Sequence, residues 1–150
     1  VLDAAAFSMI IENKKHFIKI LKNRKGKTIL TPHEGEFKKV FNINKNKIDD
    51  ALLASSKTNA VVVYKGNDSV IASPEGNIIV NYETSPYLAT AGSGDVLAGI
   101  IGGIISQNND PFKAAKIGCY IHSQCALKIG AGLIASDLIK LIPEVIKEYK

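Results

Sequence analysis

Ala91-Gly92-Ser93-Gly94-Asp95-Val96-Leu97-Ala98-Gly99 places three small residues before an acid, and the acid opens an apolar run that continues to Ile105. The run, Val96 to Ile105, reads as a helix. Its glycine-rich entry lets successive backbone N–H groups point at one spot without Cβ interference. The helix N-terminus behind it adds a partial positive charge, and together they form an anion site. Asp95 at the rim would repel a phosphate that is merely clamped. It makes sense if a hydroxyl must be aimed at a phosphoryl group held there. A plain acidic helix start explains Asp95 but not the whole glycine-rich run. Gly99, Gly102 and Gly103, each costing roughly 1 kcal/mol against Ala inside a helix, predict close approach of another backbone.

Upstream of this stretch, strands and helices alternate. Val1-Leu2-Asp3 reads as the end of a buried strand, followed by helices over Ala4 to Ile11 and Lys14 to Lys22. A turn at Arg24 to Lys27 leads into a short strand, Thr28 to Leu30. Phe37, Val40 and Phe41 have the i, i+3, i+4 spacing of a helix packed on a sheet. Asn42 to Lys47 reads as a loop, and Ile48, Leu52 and Leu53 mark another helix. Ala60-Val61-Val62-Val63-Tyr64 is the clearest strand, β-branched on both faces as parallel strands covered by helices are. Ser69 to Ala72 and Ile78 to Tyr82 predict a hairpin around Ser73 to Asn77. Downstream of the glycine-rich helix, Asp110-Pro111 caps a long helix to about Ile129. Ser136-Asp137 caps a last helix, which Pro143 is expected to interrupt. The pattern is an α/β layout, a mostly parallel sheet flanked by helices.

The 150 residues suit one domain, and 46% hydrophobic with 22% charged residues suits a packed core. The net charge of +5 comes from scattered lysines with a single arginine, Arg24. Nucleic-acid binders concentrate their cations on one face, so the excess suits attraction of a small anionic substrate, with no nucleic acid as partner. Cys119 and Cys125 show no zinc spacing and suggest a reducing, cytoplasmic setting. No apolar run reaches the roughly 20 residues a membrane span needs.

Other stretches carry chemistry, each beside a plainer explanation. In Thr31-Pro32-His33-Glu34-Gly35-Glu36, Thr31 as N-cap, Pro32 at N1 and Glu34 at N3 form a capping box. That leaves Gly35 as a cost unless something approaches its backbone. It also leaves His33 at a strand end, where open α/β sheets bind ligands. Lys65-Gly66-Asn67-Asp68-Ser69 is an exposed turn or a nucleotide loop at the same sheet edge. His122 reads as a structural histidine. Asp3 either lines the crevice or caps the next helix.

The order of these pieces resembles the ADP-dependent NAD(P)H-hydrate dehydratase family of the ribokinase-like superfamily. Thr31-Pro32-His33-Glu34-Gly35-Glu36 and Leu88-Ala89-Thr90-Ala91-Gly92-Ser93-Gly94-Asp95-Val96-Leu97-Ala98-Gly99 carry the resemblance. It extends over nearly the whole chain, as one ribokinase-like domain (residues 1–150) lacking the family's N-terminal half. Departures include Ala5, where the family's Leu-Asp-Ala-Asp-Ala-Leu pattern has its second Asp. After His122, Ser123-Gln124-Cys125 replaces the usual small residues.

The resemblance implies a metabolite-repair lyase. ADP or ATP phosphorylates the hydroxyl of hydrated NADH or NADPH, and phosphate elimination restores the dihydronicotinamide. Asp95 would engage that hydroxyl as the catalytic residue. The N–H groups of Gly92, Ser93 and Gly94 would hold the transferred phosphoryl group, and His33 would contact the dinucleotide. Lys65, Gly66, Asn67, Asp68 and Ser69 would line the ADP or ATP site. Magnesium is expected on the nucleotide phosphates, with no dedicated protein metal site. The alternatives are a ribokinase-like kinase of a sugar or vitamin alcohol, which Thr31 to Glu36 argues against, and a catalytically incomplete subunit. A homo-oligomer, or association with a separate N-terminal half, is expected.

Overall fold

Burial on both sides of a short sheet explains the apolar composition of its strands. The computed structural model describes residues 1–41, 46–108 and 110–148. Their four-stranded sheet runs in the order β1 (Ile29–Leu30), β2 (Val61–Tyr64), β3 (Ser69–Ala72), β4 (Ile78–Asn81). β1 and β2 are parallel, with Ile29 opposite Val61 and Leu30 opposite Val62. Leu2 adds a parallel bridge to Leu30 on the far side of β1. β2, β3 and β4 are antiparallel neighbours, so the expected hairpin is present and the sheet is mixed.

Successive side chains of a strand point to opposite faces, and β2 shows the consequence. Val62 and Tyr64 join Phe7, Leu30, Phe37 and Val70 in one apolar cluster. That face is covered by α1 (Ala5–Glu12), α2 (Lys14–Asn23), α3 (Glu34–Val40) and α4 (Lys47–Thr58). Val61 and Val63 join Ile29, Ile71, Leu97, Ile101 and Cys119 in a second cluster. It lies under α5 (Ser93–Asn108) and α6 (Pro111–Ile129). A third cluster, with Ile100, Ile121 and Leu138, packs α5 and α6 against α7 (Ala135–Glu148). Of the expected loop Asn42 to Lys47, residues 42–45 lie outside the described residues.

Local signals account for several boundaries. The Asp110 side chain accepts the N–H groups of Phe112 and Lys113, capping α6 as expected. α4 is capped by Asn46 and closes on Asn59 at φ 52°. The last helix departs from expectation: α7 begins at Ala135 and runs through Pro143 without a break. Leu138 and Val145 are buried on either side of the proline and hold the helix together. Pro143 and Ile139, whose carbonyl loses its helical partner, are both exposed, so water can serve that carbonyl. No described helix is long and apolar enough to cross a membrane.

Candidate active site

The C-terminal ends of parallel strands meet at one edge. Leu2 N–H donates to the Ile29 carbonyl at 2.8 Å, and Thr31 N–H returns a bond to the Leu2 carbonyl at 3.1 Å. Lys65 N–H donates to the Pro32 carbonyl at 2.9 Å. Asp3, His33 and Lys65 therefore leave the sheet side by side, where open α/β sheets bind ligands. Lys65 Nζ lies 2.9 Å from Asp3 Oδ1, both side chains largely buried. The start of α5 sits against this pair. A Cβ on Gly94 would stand 3.3 Å from Lys65 Nζ and 3.7 Å from Asp3 Oδ2. Asp3, left open between crevice and cap by its sequence position, belongs to the crevice.

The glycine-rich loop is built to turn sharply into α5. Gly92 has φ +82°, a conformation side chains disfavour, and a Cβ there would also meet Ala135 at 3.2 Å. Ser93 N–H donates to the Thr90 carbonyl at 3.3 Å, and Val96 N–H to the Gly92 carbonyl at 3.1 Å. The Ser93 hydroxyl donates to the Leu88 carbonyl at 2.6 Å. Asp95 stands exposed in the first turn. Ser93 and Val96 N–H are thus engaged, and the first-turn N–H groups of Gly94 and Asp95, which have no intrahelical partner, leave this end open to an anion.

The glycines inside α5 do not serve the close packing expected of them. Nothing lies within 4 Å of a Cβ placed on Gly99, Gly102 or Gly103, so no backbone approaches α5 there. The close approach is at Gly118 in α6, where a Cβ would come within 2.5 Å of Ile101 Cγ1 and 3.5 Å of the Ile101 backbone. Small residues at helical spacing, Ala114, Ala115, Gly118 and Cys119, are the sequence signal for that contact. One turn beyond Gly118, His122 donates from Nε2 to the Ser93 carbonyl at 2.9 Å.

α3 is capped differently from the expected pattern. His33, not Thr31, is the N-cap: its Nδ1 accepts from Gly35 N–H at 2.9 Å and Glu36 N–H at 3.3 Å. Glu36 Oε2 accepts from His33 N–H at 2.9 Å, completing a capping box two residues later than expected. Thr31 is instead drawn into the sheet, its hydroxyl donating to the Leu2 carbonyl at 3.2 Å. Its position at the end of β1 and its full burial take it out of contention as a cap. The approach to Gly35 comes from the His33 ring, whose Cε1 would lie 2.9 Å from a Cβ there. Gly35→Ala should therefore displace the ring and weaken the cap, lowering stability by about 1 kcal/mol, as read by denaturant unfolding. The His33 ring remains more than half exposed, with Nε2 3.5 Å from Glu36 Oε1.

The loop after β2 is anchored rather than free. Lys47 Nζ, at the start of α4, pairs with Asp68 Oδ1 at 2.9 Å and also donates to the Asp68 carbonyl. The hydrogen bond from Lys47 holds the Asp68 carboxyl below its usual range. The Thr84 hydroxyl donates to the Asn67 carbonyl. Gly66 faces Lys47, whose Nζ would lie 2.6 Å from a Cβ there. Gly66, Asn67 and Asp68 are exposed, whereas Ser69 is buried as the first residue of β3. A cavity of about 510 Å³ lies at the opposite end of the sheet, beside Arg24 to Thr28, Pro74 and Asp110. It contains none of the expected site residues.

Burial pushes the His122 ring down from 6.5 to about 4, partly countered by its bond to the Ser93 carbonyl. The ring is thus neutral at pH 7. Because the folded-state value lies below the unfolded one, its stabilising contribution is complete above pH 6.5. It is lost as pH falls towards 4, by about 3 kcal/mol across that window. Thermal unfolding at pH 7 and pH 5 should show a larger acid loss for the native chain than for His122→Gln. The Cys119 and Cys125 thiols are free and buried, pushed up to about 12 and about 11 by burial.

The helices, the mixed sheet and a glycine-rich helix start at the strand ends define a ribokinase-like α/β fold. A ribokinase-like superfamily protein from Enterococcus faecalis superposes with a TM-score of 0.82 at 21% identity, over 98% of this chain and 51% of that one. The chain belongs to the NAD(P)H-hydrate dehydratase family, which it matches over residues 1–147. The bifunctional NAD(P)H-hydrate repair enzyme Nnr of Moorella thermoacetica is 33% identical over 160 aligned positions, covering 100% of this chain and 29% of that protein. The ADP/ATP-dependent NAD(P)H-hydrate dehydratase of Bacillus subtilis, co-crystallized with ATP/Mg2+, matches with a TM-score of 0.79 at 33% identity. That match covers 85% of this chain and 50% of the Bacillus chain. The chain thus spans about half the length of the solved relatives it matches, and under a third of the bifunctional enzyme.

Proposed function

We propose that this chain carries the phosphoryl-transfer site of an ADP- or ATP-dependent dehydratase acting on hydrated NADH or NADPH. The observation that carries the reading is the placement of the open α5 terminus against Lys65 and Asp3, at the strand ends that also present His33. Family membership supports the reaction, and the open helix terminus beside an acid at this edge supports the placement of the site.

In this reading Gly92, Ser93 and Gly94 hold the transferred phosphoryl group through their N–H groups, beside the Lys65 ammonium, with Ser93 N–H exchanging its 3.3 Å bond to the Thr90 carbonyl for a phosphoryl oxygen. Asp95 accepts a hydrogen bond from the substrate hydroxyl and aims its oxygen at phosphorus. Phosphate then leaves with its C–O electron pair, and loss of a ring proton restores the dihydronicotinamide. Lys65 to Ser69 lines the nucleotide site, steadied by Lys47, and His33 faces the dinucleotide. Magnesium supplies charge neutralisation on the nucleotide phosphates. Among the described residues no group of three His, Cys, Asp or Glu side chains converges. Such an ion would rest on phosphate oxygens with one or two carboxylates, the usual manner for magnesium. The chain spans about half the length of the solved relatives it matches, and in this reading protein beyond these residues completes the dinucleotide pocket.

The nature of the product tests this reading. Phosphorus NMR of a mixture of chain, hydrated NADH, ATP and magnesium should show ADP and inorganic phosphate accumulating together. A stable phosphorylated alcohol would instead mark a small-molecule kinase.

A further inference from the structure

We propose that His122 is a positioning residue for the anion loop, acting through the Ser93–Gly94 peptide. The peptide unit is rigid, planar and trans, so the Ser93 carbonyl and the Gly94 N–H point in opposite directions. A donor that fixes the Ser93 oxygen therefore fixes the aim of the Gly94 N–H. His122 is such a donor, at 2.9 Å and almost fully buried, and joins the helical bond that the same oxygen accepts from within α5. The same bond polarises the peptide and strengthens its N–H as a donor.

Three further features serve this contact. Gly118, one turn before His122, lets α6 close on Ile101 of α5, which brings the imidazole within reach of the first turn. The Ser93 hydroxyl is tied to the Leu88 carbonyl, so Ser93 is held from two directions. Lys65 Nζ stands 3.3 Å from the Cβ position of Gly94, so the ammonium lies beside the residue whose N–H is aimed. Neutrality of the buried ring keeps its charge out of the anion site.

The consequence for catalysis rests on the proposed function; the consequence for the loop does not. His122→Leu removes the donor, and His122→Gln restores an N–H on a neutral side chain. Two readouts apply, with folding of both variants verified by denaturant unfolding. The Gly94 amide resonance should shift in His122→Leu and return towards its native position in His122→Gln. Turnover at saturating hydrated NADH and ADP should fall by about 10- to 100-fold in His122→Leu, with KM for ADP within about twofold and partial recovery in His122→Gln. An unmoved Gly94 resonance, a change in KM alone, or equal turnover in the native and His122→Leu chains would overturn the proposal. If the native chain turns over no hydrate, the proposed function falls, and the Gly94 resonance alone decides this inference.

Discussion

Asp95→Asn is expected to reduce turnover by roughly two to four orders of magnitude, the range for loss of a positioned acid–base group, while leaving ADP binding and folding intact. The expectation follows from where the side chain is. Asp95 is exposed in the first turn of α5, outside the three apolar clusters. Loss of its charge from the helix N-terminus costs at most about 1 kcal/mol. Asn is nearly isosteric and can still touch a hydroxyl, but it cannot accept that hydroxyl's proton. The loss should thus fall on kcat, with KM for either substrate little changed. Steady-state kinetics with calorimetric ADP titration checks this. A variant with near-native kcat would remove Asp95 from the chemistry.

The largest effect on stability is expected at Phe37. Phe37→Ala should cost about 3–5 kcal/mol, the usual range for a fully buried aromatic. Phe37 is completely buried, stacked on Tyr64 with ring centroids 3.9 Å apart and planes 3° from parallel. It also packs on Phe41 at 4.9 Å. Its N–H donates to the His33 carbonyl, and Tyr64 immediately precedes Lys65. One aromatic pair thus ties the α3 side of the crevice to the β2 side. Truncation should loosen His33 and Lys65 together, raising KM for both nucleotides in whatever fraction stays folded. Urea unfolding measures the first effect. A loss under about 1 kcal/mol would contradict the packing described.

How much of this is legible in the residues depends on whether the controlling interaction is local. Val61 to Tyr64 and the hairpin around Ser73 to Asn77 are visible because β-branching and turn chemistry act over a few residues. The Asp110-Pro111 helix start is visible for the same reason. Thr31 and His33 can both cap a helix, and their own stretch does not say which one does. The choice is made by the pairing of Leu2 with Leu30 on the far side of β1, which draws Thr31 into the sheet and leaves the cap to His33. The glycines of α5 point to the wrong helix. What a missing Cβ is for depends on what packs there, and the tight neighbours are Ile101 and Gly118. Asp3 and Lys65 stand 62 residues apart in the chain, and no spacing rule joins them. The sharp turn of the glycine-rich loop into α5 is readable from its own composition; its support from His122 is not, since that bond crosses between helices.

Nucleotide-driven dehydration at the α5 terminus stands or falls on one assay. The chain incubated with hydrated NADH, ADP and magnesium should restore the dihydronicotinamide absorbance. Recovery should stop when ADP is omitted or when Asp95 is replaced by Asn. Recovery that proceeds equally without nucleotide, or undiminished in Asp95→Asn, would contradict it.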